Sequence, residues 1–242
     1  MIPYLENEKL AQGYYSETGT VLRRKDSVKG GQSLLIFLRG LGPRWVNAPS
    51  GKNRFGGATE PLVWGTFNLY QSPSMLYLQG AEVKEDFISL RNSRDSLLAA
   101  LRIYKQTAKI LMDTHTSDNI LNLLWSTMVQ LSTSSFVQAV EFRFIWRLLN
   151  LLGTAPSLQN CVCCGAVIDG TSFWTDDGLK CNKCLLKTAG NYSEINIADL
   201  HLLQKTALLG HDSYLVWSQK QTDNMVYLVH TKKLMTFFDN VR

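Results

Sequence analysis

Two short cysteine pairs hold the clearest chemistry in the chain. Cys161 and Cys164 form one C-x-x-C, Cys181 and Cys184 form another, and sixteen residues separate the two pairs. Two intervening residues let both sulfurs of a tight turn face one ion, and two such turns supply the four soft ligands that tetrahedral Zn²⁺ favours. Gly165, just after the first pair, supplies the backbone freedom that the returning turn needs. All five cysteines fall within 24 positions, which argues against chance. Two disulfides are the rival reading, but they require an oxidising compartment, and the N-terminal stretch lacks the basic-then-apolar pattern of a secretory signal. The expectation is one structural Zn²⁺ per chain. Four protein ligands leave no open position for water or substrate, so catalysis at the metal is not expected. Cys163 is then a spare small residue in the turn.

Other catalytic constellations are missing from the sequence. It contains no H-E-x-x-H, no G-x-S-x-G and no H-x-E paired with P-C-x-x-C. His115, His201, His211 and His230 stand alone in sequence, and Asp176-Asp177 reads as a surface turn. Ser50-Gly51-Lys52-Asn53 resembles the end of a phosphate-binding loop, yet Val46 stands where the first glycine belongs and Asn53 where Ser or Thr belongs. Gly40-Leu41-Gly42 lacks the third glycine of a dinucleotide fingerprint and reads as a strand corner. A binding protein rather than an enzyme is expected.

Composition narrows the partner. The 242 residues are 45% hydrophobic and 19% charged, as in an ordinary globular protein, with a net charge of +5. No apolar run approaches the roughly 18 residues of a membrane span, so no membrane partner and a cytoplasmic, nucleoid-associated location are expected. The Asn191-Tyr192-Ser193 sequon then has no role. Residues 1–80 carry nine Lys or Arg against five acids, so most of the surplus lies in the first third. A local surplus of this kind favours a polyanion over a merely solvated surface.

The elements follow from the change of period along the chain. From Gly19 to Leu78, short β-prone runs alternate with Gly and Pro: Thr20–Arg24, Ser33–Leu38, Arg44–Val46, Leu62–Tyr70 and Met75–Leu78. Five short strands in this length suit an OB-type barrel. Beyond Phe87 the period becomes helical. A helix over 95–113 presents Leu97, Leu98, Leu101, Tyr104, Ala108 and Leu111 on one face, with Arg102, Lys105, Gln106 and Lys109 opposite. A second helix starts at a Ser117-Asp118 cap. A third, over 136–152, is capped by Ser134-Ser135, closed by Gly153, and apolar enough to be central. On it Arg143 and Arg147 would form a basic edge. After the cysteines, Asn196 caps a helix over 198–209, and a last one spans 225–238.

The fold expected is therefore α+β: an OB-type domain over 1–84 and a helical domain over 85–242, with a zinc finger inserted at 158–190. Phe173-Trp174 would pack the metal loop against the helices. Arg23, Arg24, Lys25, Arg44, Lys52 and Arg54 lie near Trp45, Phe55, Trp64 and Tyr70 in the barrel sequence, and cations interleaved with rings are what a single-strand groove uses. Individually, Trp64 and Phe67 are better read as barrel core.

Three motifs carry a family resemblance. Gly19-Thr20-Val21-Leu22-Arg23-Arg24-Lys25-Asp26, then Arg54-Phe55-Gly56-Gly57-Ala58-Thr59-Glu60-Pro61, then Leu152-Gly153-Thr154-Ala155-Pro156-Ser157-Leu158 occur in the order seen in bacterial recombination mediators of the RecO type. The chain resembles that family over most of residues 18–185. The resemblance implies a non-enzymatic mediator of recombinational DNA repair in the RecF pathway. Such proteins bind single- and double-stranded DNA, anneal strands coated with single-strand-binding protein, and help RecR load RecA. By position it carries over Arg23, Arg24, Lys25 and Arg54 as barrel-face contacts, and the four cysteines as zinc ligands. The stretch 41–52 is less basic here than is usual in the family, which leaves a rival reading: an adaptor with weak DNA binding that docks on single-strand-binding protein or RecR.

Overall fold

The computed structural model describes residues 10–26, 31–49, 55–111, 118–186, 192–219 and 225–241. They fall into two compact units, Met1–Ser132 and Thr133–Arg242. The division lies later in the chain than a boundary at 84/85, because the first two helices pack onto the strands that precede them.

In the first unit, β1 (Gly13–Asp26), β2 (Gln32–Leu38), β3 (Gly42–Ala48), β4 (Trp64–Gln71) and β5 (Leu76–Glu85) close into a barrel in the order β1-β2-β3-β5-β4. All ladders are antiparallel except β3–β5, which meets through Asn47 and Tyr77. This is the five-stranded OB arrangement that the strand count implied. Val21, Leu34, Ile36, Val46, Phe67 and Leu78 point into a core with no measurable exposure. Closure depends on Gly19 and Gly65, which sit opposite each other on β1 and β4. A Cβ at Gly19 would lie 2.2 Å from the Phe37 carbonyl oxygen, and one at Gly65 2.2 Å from that of Glu82. Only glycine lets the neighbouring backbones approach so closely.

Helix α1 (Arg94–Leu111) lies against β1, and α2 (Asp118–Thr133) against the β2–β3 turn and the start of β4. Tyr104 fastens α1: its hydroxyl accepts from Trp64 Nε1 at 2.7 Å and bonds Thr20 Oγ1 at 2.9 Å. Burial pushes its phenol far above the ordinary range, so the hydroxyl keeps its proton. Trp125 on α2 meets Trp64 edge-on at 5.0 Å and Phe87 at 5.3 Å. The buried face of α1 holds Tyr104, Ala108 and Leu111 as expected, but it is rotated from the expected one at its N-terminal half. Leu98 and Leu101 are exposed, while Ala99, Ala100, Ile103 and Thr107 are fully buried. Small side chains let the helix axis approach the barrel, and that outweighs the preference of the larger leucines for the interior.

The second unit centres on α3 (Val137–Leu151), which packs against α5 (Ile197–Leu208) and α7 (Met225–Met235). Phe142, Phe144 and Leu148 on α3 are fully buried, as its composition implied. Its N-cap is Phe136 with no capping side chain, so Ser134-Ser135 do not cap it. Gly153, at φ +74°, ends it in the left-handed turn. Between α3 and α5 lie β6 (Ser172–Thr175), β7 (Gly178–Cys181), the short α4 (Asn182–Leu185) and β8 (Ser193–Ile195), a small sheet in the order β7-β6-β8. Asn196 caps α5, its Oδ1 accepting from the Asp199 backbone N–H at 2.8 Å. Helix α6 (His211–Ser218) follows.

Arg143 and Arg147 do not make a basic edge. Arg143 is buried; it donates to the Thr206 carbonyl and, through Nη2, to that of Leu209 at 2.8 Å, while Arg147 Nη2 donates to Leu209 at 2.7 Å. Both satisfy orphan carbonyls at the C-terminal end of α5, where positive charge is favoured. Burial, and then the neighbouring Arg147, bring the Arg143 guanidinium down to about 10, with no loss of charge at neutral pH.

Candidate metal centre and nucleic-acid interface

The cysteine site is built from two turns that the local backbone shapes. Asn160 bridges to Val167, the Gly165 N–H bonds the Cys161 carbonyl at 2.9 Å, and Gly165 itself takes φ +72°. This turn aims Cys161 and Cys164 at one point. The second pair sits where β7 passes into α4, with Cys181 ending the strand. The Val162 N–H donates to the Leu179 carbonyl at 2.8 Å and ties the two turns together. All four sulfurs lie within 4.8 Å of one another, and Cys164 and Cys181 are 3.9 Å apart. Bonds of about 2.3 Å to a tetrahedral centre set sulfurs roughly 3.8 Å apart, so the donor set and its size fit one zinc-like ion. A disulfide needs about 2.05 Å, and none of the five cysteines is disulfide-bonded.

The thiols respond to this crowding. Burial opposes ionisation of Cys161, but backbone N–H groups of Cys181, Cys164 and Cys163 outweigh it and bring its pKa down to about 6. Cys184 is pushed far up, first by hydrogen bonding to Cys164 and Cys181. Four thiolates at this spacing repel one another, and a dication is what allows all four to ionise together. Cys163 is exposed and is not among the four converging sulfurs. Behind the site, Trp174 is fully buried and donates from Nε1 to His230 Nδ1 on α7 at 2.9 Å. Trp174 thereby packs the inserted loop against a helix, as expected, while the Phe173 ring meets Tyr192 edge-on at 5.6 Å.

On the barrel, the six candidate cations separate into distinct environments. Residues directly opposite in a ladder share a face. Arg23 pairs with Leu35, and Lys25 with Ser33, on the outer surface, while Arg24 pairs with the core residue Leu34. Arg23 and Lys25 are exposed, and the Lys25 ammonium lies 5.1 Å from the centre of the Trp45 ring. Arg24 instead bonds Asp26 Oδ1 at 3.0 Å and also pairs with Glu60. Two carboxylates already hold that guanidinium. Arg44 is half-buried and donates to the Leu41 carbonyl at 3.0 Å. Lys52 and Arg54 lie outside the described residues. Of the candidate rings, Trp64 and Phe67 are buried as expected, and Phe55 packs against the barrel core.

The barrel also presents an aromatic row of which sequence reading picked out only Tyr70. Tyr14 on β1 pairs with Tyr70 on β4, and Tyr70 pairs with Tyr77 on β5. The neighbours Leu69, Leu76 and Leu78 point inward, so the three tyrosines point outward together. Tyr14 is 82% exposed, and its ring centre lies 4.9 Å from that of Tyr70. Tyr77 pairs with Asn47, Asn47 with Ser33, and Ser33 with Lys25, which continues one outer belt from the rings to the cation. Only strand register brings residues 14, 70 and 77 together; their spacing in the chain gives no sign of it.

The comparisons with known proteins agree with this architecture. Residues 91–216 match the family model described as the C terminal of recombination protein O. The DNA repair protein RecO of Acetivibrio thermocellus is 23% identical over 184 residues, 73% of each chain. That of Desulforamulus reducens is 26% identical over 176 residues, and that of Bacillus subtilis 25% over 179, each covering 70% of this chain and 68% of the relative. Among the described residues no helix is long and apolar enough to cross a membrane. With its five-stranded barrel, its helical second unit and its four converging cysteines, the chain belongs to the RecO family of DNA repair and recombination proteins.

Proposed function

We propose that this protein is a non-enzymatic recombination mediator that grips single-stranded DNA on the outer belt of its barrel and uses a structural zinc ion to hold its second unit. The observation that carries the reading is the belt itself, with Tyr14, Tyr70 and Tyr77 at one end and Lys25 at the other. Rings stack on bases of any sequence, and cations follow the phosphates. Arg23, exposed one row away, adds to the cationic end. Within the family role, the same surface would bring complementary strands together, bind duplex DNA, and act beside single-strand-binding protein and RecR to help load RecA.

Fluorescence anisotropy with a labelled oligothymidylate at several salt concentrations tests the reading. Affinity should fall with salt at a log–log slope of about −0.7 per phosphate contact. Tyr14→Ala should weaken binding by about 1–3 kcal/mol while leaving the melting temperature unchanged. Salt-independent or undetectable binding by folded, zinc-loaded protein would refute the proposal.

The adaptor reading draws on one observation: Arg24 is occupied by Asp26 and Glu60. Capture of RecR or single-strand-binding protein by a chain that does not bind oligonucleotide would favour it.

A further inference from the structure

The outer belt of the barrel has a length, and that length limits how much strand it can carry. Tyr14, Tyr70, Tyr77, Asn47, Ser33 and Lys25 follow one another at right angles to the β-strands. The steps from strand to strand, at about 4.8 Å each, bring the belt to roughly 24 Å. Its chemistry is sorted by position. The three rings are consecutive, Asn47 and Ser33 carry neither ring nor charge, and the cation comes last. None of these residues is acidic, and both ends, Tyr14 and Lys25, are exposed.

The rings cannot take a base between each pair. The ring centres of Tyr14 and Tyr70 lie 4.9 Å apart with the planes tilted by 50°. A base held between two rings needs about twice the 3.4 Å rise of stacked bases. The Tyr70 hydroxyl accepts from Gln12 Nε2 at 3.2 Å, and the Tyr77 hydroxyl donates to Met75 Sδ at 3.6 Å, so both rings are tied at their edges. Bases are left with the outward faces, and Tyr14 offers the most exposed one. A strand set out in this way is drawn to about twice the duplex rise, and roughly 24 Å then spans between three and four nucleotide steps. At the far end the Lys25 ammonium lies 5.1 Å from the Trp45 ring centre, so it covers a face of that ring and leaves its charge to a phosphate. We propose that the belt seats about four or five nucleotides of an unpaired strand crosswise to the β-strands, using bases only at its tyrosine end and phosphate charge only at its Lys25 end. The inference rests on the single-strand reading above and deepens it, giving the ligand a length and a division of labour along that length. The count stands at the lower limit of the range for barrels of this type, about 4–16 nucleotides.

The test uses the full zinc-loaded chain at low salt with oligothymidylates of roughly two to twelve nucleotides, a span that brackets the proposed length. Affinity should climb steeply to about four or five nucleotides and beyond that rise only with the number of registers available. In a strand of the proposed length, an abasic site at the tyrosine end should weaken binding about 5- to 150-fold, as loss of one stacked base requires, and one in the middle by less than about twofold. Tyr14→Ala should remove that end's sensitivity. A methylphosphonate at the opposite end should reduce the salt slope by about 0.7, and Lys25→Ala should make the protein indifferent to it. If affinity goes on climbing steeply past the proposed length, or abasic sites cost the same at every position, the footprint is overturned; Tyr14→Ala then shows, by weakening binding, that the belt itself still stands. If no oligothymidylate binds, the single-strand reading falls, and the footprint with it.

Discussion

The barrel and the cysteine loop are both made of short strands, yet opposite forces hold them. Five strands of seven to fourteen residues close on themselves around a continuous apolar core, with β3 and β5 completing the ring at Asn47 and Tyr77. The sheet of the cysteine loop has strands of three or four residues. Its strands β6 and β7 are buried, Trp174 against α7, but so few residues form it that an ion held by the four sulfurs would supply much of what orders the loop. The difference decides where function can reside. A self-sustaining barrel leaves its outer face open to ligands, whereas the cysteines, once bound to a metal, are committed to structure.

Removing the ion should have the largest effect. Cys161→Ser or Cys184→Ser should bring bound zinc below one per chain and unfold the loop, since structural zinc contributes about 10–16 kcal/mol in small metal-held modules. Metal analysis with circular-dichroism melting checks this; full zinc content in either variant would break the contrast. Next comes the barrel core. Phe67→Ala should cost about 3–5 kcal/mol in chemical denaturation and leave zinc content unchanged. Smaller still is Tyr104→Phe, which leaves the Trp64 indole N–H without its acceptor and should cost about 1–3 kcal/mol. If it costs nothing, α1 is held by apolar contact alone.

The smallest effect is a pH dependence confined to the second unit. Burial holds the His230 imidazolium below its ordinary pKa of 6.5, against a weaker opposing pull from Asp199, and Nδ1 accepts from Trp174 in the neutral form. A depressed folded-state pKa means that this stabilisation is complete above 6.5 and is lost as pH falls from there through the folded value. Thermal melts should therefore show the second unit weakening below that pH, and His230→Leu should flatten the dependence.

The same contrast governs what could be read from the sequence. The cysteine site was legible because its ligands are adjacent in pairs and their spacing alone sets the chemistry. The strands, the central α3 and the Asn196 cap follow from local pattern in the same way. Other features depend on partners far along the chain. Arg24 has the local pattern of a phosphate contact, but Glu60, 36 residues away, pairs with it. Phasing places Tyr104, Ala108 and Leu111 correctly on α1 but not Leu98 and Leu101, since close approach to the barrel rewards Ala99 and Ala100. Arg143 and Arg147 looked exposed, but α5 ends against them. The tyrosine row needed strand register, which a β-bulge between Asn68 and Leu69 shifts by one residue.

Backbone hydrogen exchange of the full chain, with and without a saturating oligothymidylate, addresses the central claim most directly. The account predicts added protection along β1, β4 and β5 of the barrel, with the cysteine loop unchanged. Protection confined to residues 133–242 would contradict it.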